Sequence, residues 1–387
     1  MRIAFAFTWL FNPNVGGTER VTDLLARELA QRGHEIYYIY TVKRSSDSEY
    51  NYPTNNIYFI EERTFLSSQG ELILCKYLID NKIDVVINQG GLMGTCMNFA
   101  NLPVSCKSLT VIHFDPHYGL DSLFGELSKL RNTSLSERVK RIYRVFAYPY
   151  RKRKLRDYLK ALYSYWNEKS DRIVLLSNSY VPNFIGLCPN VCRDRLTAIS
   201  NPVSFPISYN INNKSNIILW VGRMDFRQKR PDLMVKVWAK AFFKLPEWRL
   251  VMIGDGPMFD SVKNMSRGIP RIELHGRQLS QPYFESAKIC ASTSAIEGLP
   301  MTLLEAISQG AVPIAFDSYA SVRDIIKNEE QLVTPYNIDE YVEKLVELAD
   351  NMSLQESLRK KGYRIAECFS VKNIADNWEE LLYSVIS

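Results

Sequence analysis

Two carboxylates, Glu297 and Glu305, stand eight residues apart in the stretch ASTSAIEGLPMTLLEAISQGAVPIAFD, which runs from Ala291 to Asp317. Ionised carboxylates only accept hydrogen bonds, so such a pair suits a ligand rich in hydroxyls. A cationic pair, Arg223 and Lys229, lies six residues apart in GRMDFRQKRPD. An arginine fork and a compact lysine charge at the end of a strand are well suited to a diphosphate. Taken singly, each pair also has a plain reading: the glutamates as solvated or capping carboxylates, the cations as an exposed basic loop. His113 ends the run SLTVIHF, and Gly16-Gly17 follows the first apolar run.

The elements that must position these residues follow from periodicity and punctuation. Lys288 to Thr293 is apolar and small enough for a buried strand. Pro300 suits a first helical position, Leu303, Leu304 and Ile307 share a helix face, Gly310 is the stop, and Val312 to Phe316 is the next strand. Glu297 then precedes the helix and Glu305 falls in its second turn. The loop before that helix offers backbone N–H groups and a positive dipole end to an anion, and Gly298 permits close approach.

The first half of the chain opens with a strand over Ile3 to Thr8, a helix over Glu19 to Gln31 with Thr18 as N-cap and Gly33 as stop, and a strand over Ile36 to Val42. This βαβ unit implies a parallel sheet. Asp84 to Asn88, Ser108 to Phe114, Arg172 to Ser177 and Leu196 to Ser200 extend it, which puts His113 on the rim where such sheets bind ligands. VGGTER does not satisfy G-x-G-x-x-G, and no acidic residue ends the second strand, so a nicotinamide site is weakly supported. The Pro/Asn/Ser-rich NPVSFPISYNINNKSN reads as a linker. Beyond it, Asn216 to Val221, Trp248 to Gly254 and Arg271 to Leu274 read as strands. Pro231 to Lys244, Asp339 to Ala349, Leu354 to Glu367 and a terminal segment with Ile374, Trp378, Leu381, Leu382 and Val385 read as helices.

The segment EGLPMTLLEAISQGAVPIA resembles the E-x7-E segment of retaining glycosyltransferases of the GT-B fold, family 4. Gly222, Arg223, Asp225 and Lys229, in G-R-x-D-x-x-x-K, resemble that family's phosphate clamp; IGDGP and the Gly16-Gly17 loop are similar to it as well. The resemblance implies an α/β protein of two Rossmann-like, doubly wound parallel-sheet domains facing a cleft. These would be 1–205, with the C-terminal helix 371–387 packing back on it, and 206–370. It further implies that Glu297 meets the donor sugar hydroxyls and Glu305 the ribose. Arg223 and Lys229 would hold the diphosphate together with the helix start at Gly298, Leu299, Met301 and Thr302. Gly276 and Arg277 would lie at the base, Gly16 and Gly17 at the donor phosphates, and His113 near the donor hexose. Glu297, His113, Arg223 and Lys229 are then the catalytic candidates. Arg277 could stack on the base or simply be exposed.

By the same resemblance the activity is transfer of a hexose or N-acetylhexosamine from a nucleotide sugar, a UDP-sugar first among them. The acceptor is a glycan or lipid-linked oligosaccharide of bacterial surface polysaccharide synthesis. Anomeric configuration is retained, and the departing phosphate takes the acceptor proton. The chain contains no D-x-D, so neither a metal nor a cofactor beyond the co-substrate is expected. A phosphorylase, a nucleotide-sugar epimerase and a non-catalytic GT-B partner protein remain as alternatives.

Composition bounds the rest. A chain of 387 residues, 46% hydrophobic with a net charge of +6, fits two cores and excludes wholesale disorder. Seven cysteines without a C-x2-C pair point to reduced thiols and a cytoplasmic chain, and the pair Cys188 and Cys192 has no partner set for zinc. Ile3 to Phe11 lacks a signal cleavage site, and no run is long enough to span a bilayer, so a soluble chain or one peripheral on the inner face of the cytoplasmic membrane is expected. Arg138 to Lys169 carries eleven Lys/Arg against two Asp/Glu, interleaved with aromatics. That composition suits an anionic bilayer or, more plainly, a solvated helical pair packed on the first domain. No RRM, KH or helix-turn-helix signature accompanies it, so nucleic acid is not the expected partner.

Overall fold

The computed structural model describes all residues except 10–11, 14–15, 44–49, 62–64, 93–95, 97, 100–101, 121–141 and 144–145. The first elements in chain order are β1 (Arg2–Trp9), α1 (Gly17–Gln31), β2 (Glu35–Val42), β3 (Ile57–Phe59), α2 (Ser68–Asp80), β4 (Val85–Asn88) and β5 (Lys107–Ile112). There follow α3 (Tyr148–Lys169), β6 (Arg172–Leu175), α4 (Val181–Leu187), β7 (Leu196–Ala198), β8 (Ser215–Val221), α5 (Pro231–Ala241), β9 (Arg249–Ile253), α6 (Phe259–Met265) and β10 (Ile272–Leu274). The last are α7 (Gln281–Ser286), β11 (Ala287–Ser292), α8 (Met301–Ser308), β12 (Val312–Phe316), α9 (Val322–Ile325), β13 (Leu332–Val333), α10 (Ile338–Asp350), α11 (Met352–Cys368) and α12 (Val371–Ile386). The chain divides into two units, Met1–Pro202 with Val371–Ser387, and Val203–Ser370.

The first unit is built on a seven-stranded sheet in the order β3-β2-β1-β4-β5-β6-β7, every neighbour parallel. Ile3 to Phe7 of β1 are all buried, as a strand covered on both faces requires. Helix α1 starts two residues before the expected Glu19. Gly16 is its N-cap and Thr18 lies inside it, because the Gly16 carbonyl already accepts the first helical bond from the Arg20 N–H at 3.1 Å. The basic run 138–169 resolves into α3 and a helical lead-in. Its residues 138–141 and 144–145 lie outside those described.

Helix α12 belongs to this unit and packs on α1. Ile374, Trp378 and Leu382 supply the buried stripe, and Arg32 the polar clasp. The Arg32 guanidinium donates to Asp376 and Glu379, both at 2.6 Å, and to the Lys372 carbonyl at 3.0 Å. His34 Nε2 meets the other Glu379 oxygen at 2.7 Å.

The second unit carries a six-stranded parallel sheet in the order β10-β9-β8-β11-β12-β13. Trp220, Trp238, Phe316 and Tyr341 fill its core. The Tyr341 hydroxyl lies 3.0 Å from the Ile314 carbonyl and 3.2 Å from that of Ser292, tying β12 to β11. Helix α5 stops at Ala241 rather than at Lys244. The N–H groups of Lys244 and Leu245 reach back only three residues, and the Arg271 guanidinium also donates to the Phe242 and Leu245 carbonyls. Helix α8 starts at Met301, one residue after Pro300. Pro300 (φ −76°, ψ 80°) centres an inverse γ-turn closed by the Met301 N–H on the Leu299 carbonyl at 2.8 Å. Among the described residues no helix is long and apolar enough to cross a membrane.

His34 and Arg32 hold the Glu379 carboxyl below the usual carboxylate range. The stability this provides is present above the unfolded pKa, about 4.3, and is lost as pH falls through the lowered folded value. The urea midpoint of the protein should therefore drop on acidification below about pH 4 more steeply than that of Glu379→Gln. Parallel acid limbs would show that the clasp contributes nothing.

Candidate active site

In both sheets the chain reverses its direction of winding beside the first strand of the unit. Ligands of open α/β sheets bind outside the carboxyl ends of the strands at such a switch point. In the second unit the switch falls between β8 and β11, so the loops after these strands, 222–230 and 293–300, are brought side by side.

Here Lys229 Nζ stands 2.6 Å from Glu297 Oε1, and Gln228 Nε2 donates to Glu297 Oε2 at 2.8 Å. Glu297 is only 5% exposed, so its charge is balanced by an immediate neighbour rather than by water. Main-chain geometry holds the pair. Asp225 Oδ1 accepts the N–H groups of Arg227 and Gln228 at 3.0 and 2.7 Å, and the Gln228 carbonyl accepts the Ala295 N–H at 2.7 Å. Buried Thr293 accepts the Trp220 indole N–H at 3.0 Å and shares its own proton between the carbonyls of Lys229 and Arg230, at 3.1 and 2.9 Å. Arg230 adopts φ +51° and is fixed by a two-pronged contact with Asp232 at 3.0 Å and by the Phe226 ring beneath it.

Glycines set the depth of this rim. The Lys229 side chain lies over Gly222, where a Cβ would come within 3.0 Å of it. Gly254, at φ +135°, faces the Gly222 carbonyl so closely that a Cβ would stand 1.9 Å from the oxygen. Its N–H donates to the Gly276 carbonyl at 2.7 Å. The loops after β8, β9 and β10 thus form one hydrogen-bonded edge.

The residues expected at the site fall into four groups in this unit. Gly222, Lys229 and Glu297 are in mutual contact or one residue removed from it, and Gly276 (φ +62°) joins them through Gly254. Gly298 and Leu299 are buried, whereas Met301 and Thr302 are partly exposed at a helix start that no side chain caps. Arg223 and Arg277 are exposed. Glu305 is buried inside α8, with Cys290 nearby; burial foremost, and then Glu305, pushes that thiol up to about 12.

In the first unit the corresponding rim follows β1, β4 and β5. Gly16 N-caps α1 with an ordinary extended φ of −138°, and a Cβ on Gly17 would meet nothing within 4 Å. Backbone strain does not demand these glycines, but the Glu19 carboxylate folds back over Gly16, where a Cβ would stand 2.0 Å from its oxygen. His113 lies one residue past β5. Its Nε2 faces Gln89 Oε1, and its Nδ1 is shut from solvent with no hydrogen-bond partner among the described residues. Burial pushes the imidazole down to about 4. The neutral ring facing a carbonyl oxygen carries its proton on Nε2, which leaves Nδ1 as an acceptor. Helix α3 buttresses this rim: Trp166 Nε1 donates to the Gly91 carbonyl and the Tyr163 hydroxyl to that of Pro116, both at 2.8 Å.

Gln228, Thr293 and Gln89 escaped the sequence reading. A hydroxyl closing an apolar run marks Thr293, and Gln89-Gly90-Gly91 directly after DVVIN marks a rim turn; nothing in the sequence marks Gln228. Among the described residues no group of His, Cys, Asp and Glu side chains could hold a metal ion, and all seven cysteines are free thiols.

Two parallel-sheet α/β units, each with a switch point beside its first strand, have the architecture of the GT-B class. The family model of glycosyltransferase family 4 matches residues 15–205, and that of glycosyl transferases group 1 matches residues 204–365. The chain belongs to this glycosyltransferase family. It is 23% identical over 384 residues to an uncharacterized glycosyltransferase of Haemophilus influenzae, covering 95% of this chain and 97% of that one. Over 161 residues it is 34% identical to the lipopolysaccharide 1,6-galactosyltransferase of Salmonella typhimurium, covering 38% of this chain and 44% of the relative. Among solved structures, Anabaena Alr3699/HepE in complex with UDP-glucose shares the fold with a TM-score of 0.70 at 13% identity, over 99% of this chain and all of that one.

Two outcomes follow from the rims. Gly254→Ala should displace the Gly222 carbonyl and weaken nucleotide binding at least tenfold by calorimetry, a 1.4 kcal/mol effect. Gly186→Ala, where a Cβ meets nothing within 4 Å, is the matched control and should bind normally. For His113, the unfolded chain takes up a proton below about pH 6.5, whereas the folded chain resists until about 4. Its contribution to stability is therefore present above pH 6.5 and lost as pH falls towards 4, and His113→Gln should flatten that limb in chemical denaturation.

Proposed function

We propose that the protein is a retaining, metal-independent glycosyltransferase. It moves a hexose or N-acetylhexosamine from a UDP-sugar to a glycan or lipid-linked oligosaccharide in bacterial surface polysaccharide synthesis. The observation that carries this reading is the Lys229–Glu297 pair at the switch point, with Arg223 exposed on the same loop. In the reaction the bond between the anomeric carbon and the diphosphate oxygen breaks, and the acceptor oxygen bonds that carbon on the same face. The acceptor proton passes to the departing phosphate.

Negative charge grows on the diphosphate, and Lys229, Arg223 and the open start of α8 are the groups that stabilise it without a metal. Glu297 accepts from the sugar hydroxyls and Glu305 from the ribose. His113, neutral and with Nδ1 as an acceptor, would accept a hydrogen bond from a hydroxyl rather than act as an acid. A donor of the UDP class is supported by the fold shared with a UDP-glucose complex. The surface polysaccharide setting is supported by the match to a lipopolysaccharide galactosyltransferase.

Lys229→Ala should lower kcat by about two to three orders of magnitude, the usual loss when a transition-state charge partner is removed, and Glu305→Ala, which removes a ribose contact, should raise KM for the donor and so lower kcat/KM. The assay is UDP release from UDP-sugars with an oligosaccharide acceptor, run with and without EDTA, with product anomers assigned by NMR. Undiminished turnover in both variants would sink the assignment. An inverted product or an EDTA-sensitive rate would overturn the retaining or the metal-free part. Epimer formation without acceptor would point to nucleotide-sugar epimerisation instead.

A further inference from the structure

Helix α3 has two unlike halves. Its C-terminal half buries Leu159, Leu162, Tyr163 and Trp166, and through Tyr163 and Trp166 it grips the rim loops that flank His113. Its N-terminal half is anchored by the Tyr148 hydroxyl, which donates to the Leu120 carbonyl at 2.8 Å, and is otherwise mostly exposed. The Ala147 N–H bonds the Tyr143 carbonyl and the Arg151 N–H that of Ala147, at 2.8 and 2.9 Å, two helical bonds that put Tyr143, Ala147 and Arg151 on one ladder. On that ladder Tyr143, Phe146 and Tyr150 lie at i, i+3 and i+7, one stripe of a helix, and they are 72%, 81% and 71% exposed. Arg151, Arg153, Lys154, Arg156 and Lys160 follow, all exposed, with Asp157 as the acid among them.

We propose that this segment docks the first unit on an anionic bilayer surface. An aromatic stripe of three side chains is too small to seat a folded partner, but it matches the depth of the headgroup layer, where Tyr and Phe are favoured. The bases beside it complement lipid phosphates, their aliphatic stems lying along the interface. At 1.5 Å per residue, the distance along α3 from Tyr150 to Tyr163 is about 20 Å. The helix that would touch the membrane is therefore also the one that fixes the rim loops. Docking would bring that rim within reach of an acceptor whose lipid stays in the bilayer. Only this last step rests on the acceptor proposed above; the docking itself does not.

The test is co-sedimentation of the full chain with phosphatidylcholine vesicles with and without phosphatidylglycerol, at low and high salt. The expected result is binding that needs phosphatidylglycerol, weakens with salt, and falls about tenfold or more in Phe146→Ser/Tyr150→Ser and in Arg153→Glu/Lys154→Glu. These positions are exposed, so the thermal midpoint of each variant should match that of the parent. A variant that melts early is replaced by the single substitution. Failure to bind either vesicle, undiminished binding of both variants, or preference for a single-stranded oligonucleotide over the vesicles would each overturn the proposal. With a water-soluble acceptor the variants should keep full turnover. Vesicle binding by a chain that transfers no sugar would leave docking standing and remove only the transferase reading.

Discussion

The second unit depends on one buried hydroxyl. Thr293 closes β11, receives the indole N–H of Trp220 from β8, and returns its proton to the carbonyls that flank Lys229. An unsatisfied indole N–H in that core would cost about 1–3 kcal/mol. The same contact that spares this cost also fixes the loop bearing the cation. Packing and site geometry are therefore one interaction here. Gln228 extends it, its backbone carbonyl bound to Ala295 and its side chain to Glu297. The ion pair at the rim is an outcome of core satisfaction, and this is why a loop of nine residues, 222–230, can hold a charged side chain in one place.

The two units share a strand order but support their rims differently. In the second, the loops brace one another edge to edge through Gly222, Gly254 and Gly276. In the first, support comes from behind, from the phenol and indole of α3. The first arrangement leaves little room for a change of side chain. Support from behind lets the loops themselves vary while the helix keeps gripping main-chain carbonyls.

How much of this was legible in the sequence depended on burial. Central strands such as β1, β8 and β12 are covered on both faces and read as unbroken apolar runs, and α1 and α10 show a clear stripe. By contrast β3 is three residues of an edge strand, each only partly buried. Helix α2 exposes Leu72 and Ile79, which blurs its period, and neither element was anticipated. The E-x7-E and G-R-x-D-x-x-x-K motifs pointed to Glu297, Lys229 and Gly222 through their resemblance to a family. They could not pair Lys229 with Glu297, since 68 residues and a change of strand neighbour separate them. Nor could they foresee the γ-turn at Pro300, which depends on a ψ that proline leaves open.

The contact between Lys229 and Glu297 also bears on what the empty rim attracts. If Lys229 takes the diphosphate as proposed, any incoming anion must first compete with a carboxylate already in place, and the cost of parting the two is common to all anions. Inorganic phosphate or a bare nucleotide would leave Glu297 buried with the Gln228 amide but no cation. A ligand that carries sugar hydroxyls beside its phosphates would supply further donors. On that proposal the carboxylate would work as a built-in competitor, and selectivity for an intact donor over its spent product would arise from an internal contact made before either arrives.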